Sequence, residues 1–177
     1  MNYFIYCLKH YADFKGRARR KEYWMFVLFN AIFAIAAIIL DNILGFNFRF
    51  SESGSSFPGT NYSFFEIKSP YGLITLLYGL AMVLPCLAVT TRRLHDIGKS
   101  GYWLLAYYVA VFVLWGFMMV ALILALYSTV AMTITLLLFY LLLLALCITF
   151  LVFLCKDSQV GQNQYGENPK GINPLSE

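Results

Sequence analysis

Between Tyr102 and Cys155 the sequence has no aspartate, glutamate, lysine or arginine. No soluble core needs so long a run without charge. Charged residues make up only 12% of the whole chain and hydrophobic ones 60%, whereas soluble domains carry about 25% charge. The composition therefore excludes an ordinary soluble domain. Histidine is scarce as well, with two in 177 residues, and the four cysteines form no CxxC pair. Neither a metal centre nor a disulfide framework is expected from that inventory, and no cofactor is implied. Cys7, Cys86, Cys147 and Cys155 read as reduced thiols, buried or interfacial. A net charge of +4 is too small to suggest nucleic acid as a partner.

What is present is apolar sequence in membrane-sized pieces. About 20 residues rising 1.5 Å each cross a hydrocarbon core of roughly 30 Å. Residues 23–44 and 73–91 meet that length, the first with Asp41 near its far end and the second interrupted by Pro85. The uncharged run after Tyr102 is too long for one crossing. It divides at Tyr127-Ser128-Thr129 into 102–126 and 130–154, a helical hairpin that satisfies its backbone groups within lipid. The expected fold is all-α, a four-transmembrane-helix bundle forming a single membrane domain over 1–177. Residues 45–72 form its outer loop, 92–101 a basic cytoplasmic loop and 155–177 a polar tail, either turn-rich and ordered or flexible.

The basic residues orient this arrangement. Lys9, Lys15, Arg17, Arg19, Arg20 and Lys21 precede the first span, and Arg92, Arg93 and Lys99 lie between the second and third. Lys156 and Lys170 follow the last span, leaving only Arg49 and Lys68 on the opposite side. Eleven against two places both termini in the cytoplasm by the positive-inside rule. The first span is too long for a signal-peptide core, and no A-x-A-like site follows it. Within the basic segment 1–22, the residues Tyr3, Phe4, Cys7, Leu8, Tyr11 and Phe14 recur at helical spacing. They predict an amphipathic helix on the cytoplasmic leaflet, broken at Gly16. The aromatic residues Phe46, Phe48, Phe50, Phe57, Tyr62, Phe64, Phe65 and Tyr71 suggest that the outer loop rests on the opposite interface.

Two segments resemble one another, each a basic cluster closing on Tyr-Trp: Arg17 through Trp24, and Arg92 through Trp103. A duplicated hairpin would produce this likeness, and so would shared selection for interfacial anchors. Along the second span Gly72, Gly79, Cys86 and Arg93 recur every seven residues, with Thr75, Met82, Val89 and Asp96 between them. Asn30, Ala34, Ala37 and Asp41 share a face of the first. Small faces bring helices together in lipid, and a solute path is the alternative use for them. In the Arg92–Lys99 segment, Gly98-Lys99-Ser100 looks like the end of a phosphate loop but has Arg93 where that loop needs glycine. His95-Asp96 lacks a second ligand cluster. On a helix the two would point about 100° apart. Arg92 or Arg93 is placed to pair with Asp96 one turn on, with Gly98 as the helix stop. A structural salt-bridge network with the Arg17–Glu22 segment is one use for these charges, and recognition of a lipid headgroup or another anionic ligand is the other.

Three ordered motifs carry a family resemblance: Phe14-Lys15-Gly16-Arg17-Ala18-Arg19-Arg20-Lys21-Glu22-Tyr23-Trp24, Arg93-Leu94-His95-Asp96-Ile97-Gly98-Lys99-Ser100-Gly101-Tyr102-Trp103 and Gly161-Gln162-Asn163-Gln164-Tyr165-Gly166-Glu167-Asn168-Pro169. Together they resemble the DUF805 family of small bacterial inner-membrane proteins, over nearly the whole chain. Tyr102 stands where the family often has Trp. The resemblance implies a multi-pass cytoplasmic-membrane protein without an established activity. It directs attention to Gly16, Arg17, Arg20, Glu22, Trp24, Arg93, His95, Asp96, Gly98, Gly101, Gly161, Asn163, Tyr165 and Gly166. Trp103, the second Tyr-Trp anchor, joins them as a motif residue.

The expected function is non-enzymatic. Arg17, Arg20, Arg93, His95 and Asp96 form a candidate binding set for anionic membrane lipid, or for a protein partner, at the cytoplasmic face. A homo-oligomeric transporter or channel is the alternative, weakened by the lack of an ionisable residue near a midplane. An interfacial enzyme using His95 is the third reading. A reporter fused to Glu177 is expected to behave as cytoplasmic. An external signal would undo the hairpin division at Ser128.

Overall fold

A computed structural model describes residues 2–57, 60–124 and 128–169. The chain is mostly helical, with α1 (Asn2–Lys9), α2 (Arg20–Leu44), α3 (Leu73–Asp96), α4 (Tyr102–Leu124) and α5 (Thr129–Cys155), and two strands, β1 (Asn47–Phe57) and β2 (Thr60–Gly72). Helices α2 to α5 are each long and apolar enough to cross a membrane. They also leave large apolar side chains such as Ile43, Leu80, Phe112 and Leu137 exposed. In water that surface would be unfavourable, and lipid is the solvent that suits it. The chain divides into two compact units, residues 1–12 with 24–86 and residues 13–23 with 87–177.

In the first unit, Phe4 of α1 packs against three rings of α2: Phe26, Phe29 and Phe33, at centroid distances of 5.6, 6.0 and 5.2 Å. Phe4 and Cys7 are buried, whereas Tyr3, Leu8, Tyr11 and Phe14 of the expected apolar face are exposed. The amphipathic helix is real but ends at Lys9, well short of Gly16. Beyond it the Asp13 carboxylate accepts from the Lys15 N–H at 3.0 Å, a local turn that competes with helix.

The first two spans touch through polar side chains. Tyr78 Oη donates to Asn30 Oδ1 at 2.7 Å, and Asn30 Nδ2 donates to Cys86 Sγ at 3.9 Å. At the other end Asp41 is fully buried. Its carboxylate accepts from the backbone N–H groups of Gly72, Ile74 and Thr75 and from Thr75 Oγ1, at 2.6–3.0 Å. These are the otherwise unpaired donors that open α3, so an acid on α2 caps the positive end of the next helix. α3 itself runs through Pro85 without a break.

Between these helices the structure has an antiparallel hairpin, where the sequence reading expects an irregular loop. β1 pairs with β2 from Asn47↔Gly72 to Phe57↔Thr60, with register shifts on the way. The alternation of Phe46, Phe48 and Phe50 with polar residues is the period-two pattern of a strand, and the Ser, Gly and Asn content obscures it. Phe46, Phe48 and Tyr71 are exposed. The side chains of Phe50, Phe57, Tyr62, Phe64 and Phe65 lie outside the described residues.

In the second unit α4 and α5 form an antiparallel pair. Trp103 meets Phe153, Tyr107 stacks on Phe150, and Trp115 meets Phe139. Ser128 caps α5, its hydroxyl accepting from the Ala131 N–H at 3.4 Å. The expected division at Ser128 is thus present, although Leu126 and Tyr127 lie outside the described residues. Replacing Asp41 by Ala removes the acceptor for all four donors at once. Asp41→Ala is therefore expected to lower the thermal midpoint in detergent markedly. Asp41→Asn, which keeps one carbonyl oxygen, should lose less. Equal midpoints for all three proteins would show that this cap is dispensable.

A buried arginine–carboxylate centre as the candidate functional site

α3 continues five residues past the expected end of its span, through Arg92 and Arg93 to Asp96. It closes on Gly98, whose φ of +76° suits glycine. The Gly98 N–H reaches His95 O at 3.0 Å and the Lys99 N–H reaches Leu94 O at 2.9 Å, the pairing of a Schellman stop. Gly101 is required for a different reason. A Cβ there would lie 2.9 Å from Thr91 Cγ2.

This helix end buries its charges. Arg93 and Asp96 are 0% exposed, and Arg93 Nη1 donates to Asp96 Oδ2 one turn away. Arg17, its side chain also buried, donates through Nε to Asp96 Oδ1 at 3.1 Å. Ser158 Oγ donates to the same carboxylate. An unpaired charge in such a place costs several kcal/mol, so both arginines need further acceptors. Arg17 finds them in the carbonyls of Gly161 (2.7 Å), Gly166 (3.3 Å), Gln159 (2.6 Å) and Asp96 (3.4 Å). Arg93 finds them in the carbonyls of Leu154 (3.0 Å), Ala18 (3.4 Å) and Lys156.

Three segments distant in sequence are fastened at this point. The Ala18 N–H donates to Arg92 O at 3.0 Å, and the Gln159 N–H to Asp96 O at 2.9 Å. Asn163 Nδ2 donates to His95 O at 2.9 Å, while its Oδ1 accepts from the Tyr165 N–H. These carbonyls lie near the C-terminal end of α3, and those of His95 and Asp96 are among the acceptors that a helix end leaves unpaired. Tyr165 then lies flat on His95, ring centroids 3.8 Å apart and planes 2° from parallel. His95 Nδ1 donates to Gly16 O at 3.3 Å.

The remaining motif residues lie around this centre. Glu22, in the first turn of α2, pairs with the buried Arg92 at 3.4 Å. Arg20 reaches Asp157 at 3.3 Å with its side chain 45% exposed, and donates to Cys155 O. Lys99 Nζ sits 4.5 Å above the Trp103 ring. Trp24 is exposed on α2, in the other unit.

Of the candidate binding set, the structure brings Arg17, Arg93 and Asp96 together directly, with His95 beside them and Arg20 at the rim. The donors of Arg17 and Arg93 are occupied by protein acceptors. His95 and Asp96 face different partners, as adjacent helical residues should. Sequence reasoning did not single out Ala18, Ser158 or Gln159. Ala18 and Gln159 contribute backbone groups, which no residue type advertises, and Ser158 is an ordinary polar residue after the last helix.

Four apolar membrane-length helices joined to this charged centre define a multi-pass membrane protein. The family model described as "Protein of unknown function (DUF805)" matches residues 11–167, and the chain belongs to that family. It is 32% identical over 170 residues to the inner membrane protein YhaI of Escherichia coli K12, covering 96% of this chain and 97% of that one. It is 30% identical to the inner membrane protein YhaH of the same strain, covering 96% and 98%. No solved structure matches it.

The centre predicts a strong, specific dependence on the guanidinium groups. Asp96→Ala leaves two buried guanidinium groups without a counter-charge and should destabilise the protein by roughly 3–5 kcal/mol, whereas Arg93→Ala leaves Asp96 paired with Arg17 and should cost less. Arg17→Lys keeps the charge but cannot reach five acceptors with one ammonium. Its C-terminal segment should be cut by protease faster than in the wild type. Wild-type cleavage rates and unfolding midpoints in these variants would show that the centre does not hold the segments.

Proposed function

We propose that this is a non-enzymatic protein of the bacterial inner membrane, with both termini in the cytoplasm and an anionic-lipid-binding cytoplasmic face. The inner-membrane assignment draws on the names of the two relatives, and the orientation on the eleven-to-two distribution of basic residues. One observation carries the functional reading. Arg17 and Arg93 are buried and fully engaged, yet Arg19, Arg20 and Lys21 beside them remain exposed. The buried pair orders the segment, and the exposed three present positive charge at headgroup depth. Arg20 also touches Asp157, but an exposed pair of this kind is weak and yields readily to a lipid phosphate.

The arrangement does not favour the competing readings. Asp96 is held by Arg17, Arg93 and Ser158, so it does not orient His95 for acid–base work. Asn30 and Thr75, the side chains most suited to a solute path, hydrogen-bond to Tyr78 and Asp41 across a helix contact. A protein partner with an acidic surface would use the same basic residues. Lipid is favoured because these residues open a membrane-length helix.

Each basic residue near an anionic leaflet contributes about 1 kcal/mol, roughly a fivefold change in affinity. Neutralising Arg19, Arg20 and Lys21 together to Gln should therefore reduce retention of anionic lipid about a hundredfold, measured by mass spectrometry of protein purified in mild detergent. The fold should persist, because none of the three belongs to the buried centre. Unchanged lipid retention would count decisively against the lipid reading.

A further inference from the structure

His95 lies next to the arginine centre without joining it. It is 8% exposed, and because Nδ1 donates to the Gly16 carbonyl, the proton of the neutral ring is on Nδ1. Nε2 has no hydrogen-bond partner among the described residues and faces an open cleft of about 450 Å³. It stands 3.8 Å from the point a Cβ on Gly101 would occupy, so the missing side chain keeps the cleft accessible. Thr91 and Ser100 line it with hydroxyls, and Tyr102 and Leu105, both exposed, form its apolar rim. The cleft also adjoins the first turn of α4. The N–H groups of Gly101 and Tyr102 there have no acceptor among the described residues.

These groups share one chemistry. The lining supplies hydroxyls and an imidazole, the N–H groups of Gly101 and Tyr102 adjoin it, and among the described residues no carboxylate lines it. The neighbouring acid, Asp96, is turned away into its arginines. The nearest lysine, Lys99, holds its ammonium over Trp103. Asn163, from the C-terminal segment, engages the His95 carbonyl and leaves the ring alone. A helix N-terminus with added donors suits a phosphate. The apolar rim suits a phosphate that carries acyl chains.

We propose that this cleft binds the phosphate of an anionic phospholipid, with Nε2–H of a protonated His95 donating to it. This rests on the reading above that the protein engages anionic lipid, and it assigns that lipid a defined seat distinct from the exposed basic residues. In the bound state both ring nitrogens donate, Nδ1 to Gly16 and Nε2 to the ligand. The Tyr165 ring stacked on the imidazole favours the cation. The sign of the pH effect follows. Burial holds the free ring below the ordinary histidine range, the Gly16 hydrogen bond opposing it only in part. The ligand selects the protonated ring, so affinity is highest at acid pH and falls as pH rises.

The test is calorimetric titration of the full-length protein in mild detergent with dioctanoyl phosphatidylglycerol, at pH 6 and pH 8. Glycerol phosphate serves as the soluble source of the same group. The expected Kd for the lipid is several-fold lower at pH 6 than at pH 8, bounded by about tenfold for each unit by which the ligand raises the ring's pKa. His95→Gln should abolish that difference, and Gly101→Ala should weaken binding at both pH values. Because either variant could perturb the fold, NMR of the wild-type His95 ring gives a second reading. Its titration should move to higher pH when the lipid is present. Equal affinity at both pH values with an unmoved titration overturns the site. Glycerol phosphate binding as tightly as the lipid overturns the lipid as occupant. If the Arg19/Arg20/Lys21 variant loses lipid while His95→Gln keeps the pH dependence, the cleft is overturned and the surface reading stands. Failure of the wild type to take up any anionic lipid removes both.

Discussion

The Asp96 carboxylate, buried between Arg17 and Arg93, is the interaction on which this end of the protein depends. One acid and two guanidinium groups leave a net positive charge away from water, which taken alone would be unfavourable. The surrounding carbonyls resolve it. Arg17 takes the carbonyl of Asp96, the last residue of α3, and Arg93 takes that of Leu154, the penultimate residue of α5. Helix C-termini carry partial negative charge, so two helix ends supply the field that an additional acid would otherwise provide. The guanidinium shape is essential to this, since five directed donors can reach carbonyls from separate segments at once.

The same reasoning applies to the other end of α3, in the other unit. There Asp41 meets the N–H groups that open the helix. An acid at the positive end and arginines at the negative end both act with the helix dipole. In both places a residue from far away in sequence takes part, Asp41 at the first end and Arg17, beside the local turn at Gly98, at the other. The opening residues Leu73 and Ile74 carry no side-chain acceptor for the first N–H groups of α3, and in lipid no water would replace one. Membrane burial therefore turns two ordinary capping problems into tertiary contacts.

This explains which features were legible in the sequence. The spans were readable because lipid selects on length and charge, and both are properties of residue type. The helix contact through Asn30, Asp41 and Thr75 was readable from heptad spacing. The Arg93–Asp96 pair was readable because three residues make one turn. The hairpin over Asn47–Gly72 was not, because only one short stretch of it alternates clearly. Nor were the acceptors of Arg17 and Arg93, because Gly161, Leu154 and Lys156 contribute carbonyls that every residue possesses. Sequence placed the arginines at the right point and left open whether they join a salt-bridge network or reach a ligand. Burial depends on what covers them, and the covering segment begins more than 130 residues away from Arg17.

The distinction between buried and exposed cations also limits how this face could work. Arg17 and Arg93 cannot leave their acceptors without exposing a buried carboxylate and uncapping two helices, so they are poor candidates for exchange with a ligand. His95 differs in kind. It is fixed by one nitrogen, stacked on Tyr165, and has the other nitrogen toward open space. The arginine centre holds Gly16, Ala18, Gln159 and Gly161 together, and this in turn positions Gly16 under His95 and Tyr165 over it. The rigid ion cluster is best understood as the support, and the single histidine beside it as the group still free to gain a proton and a partner.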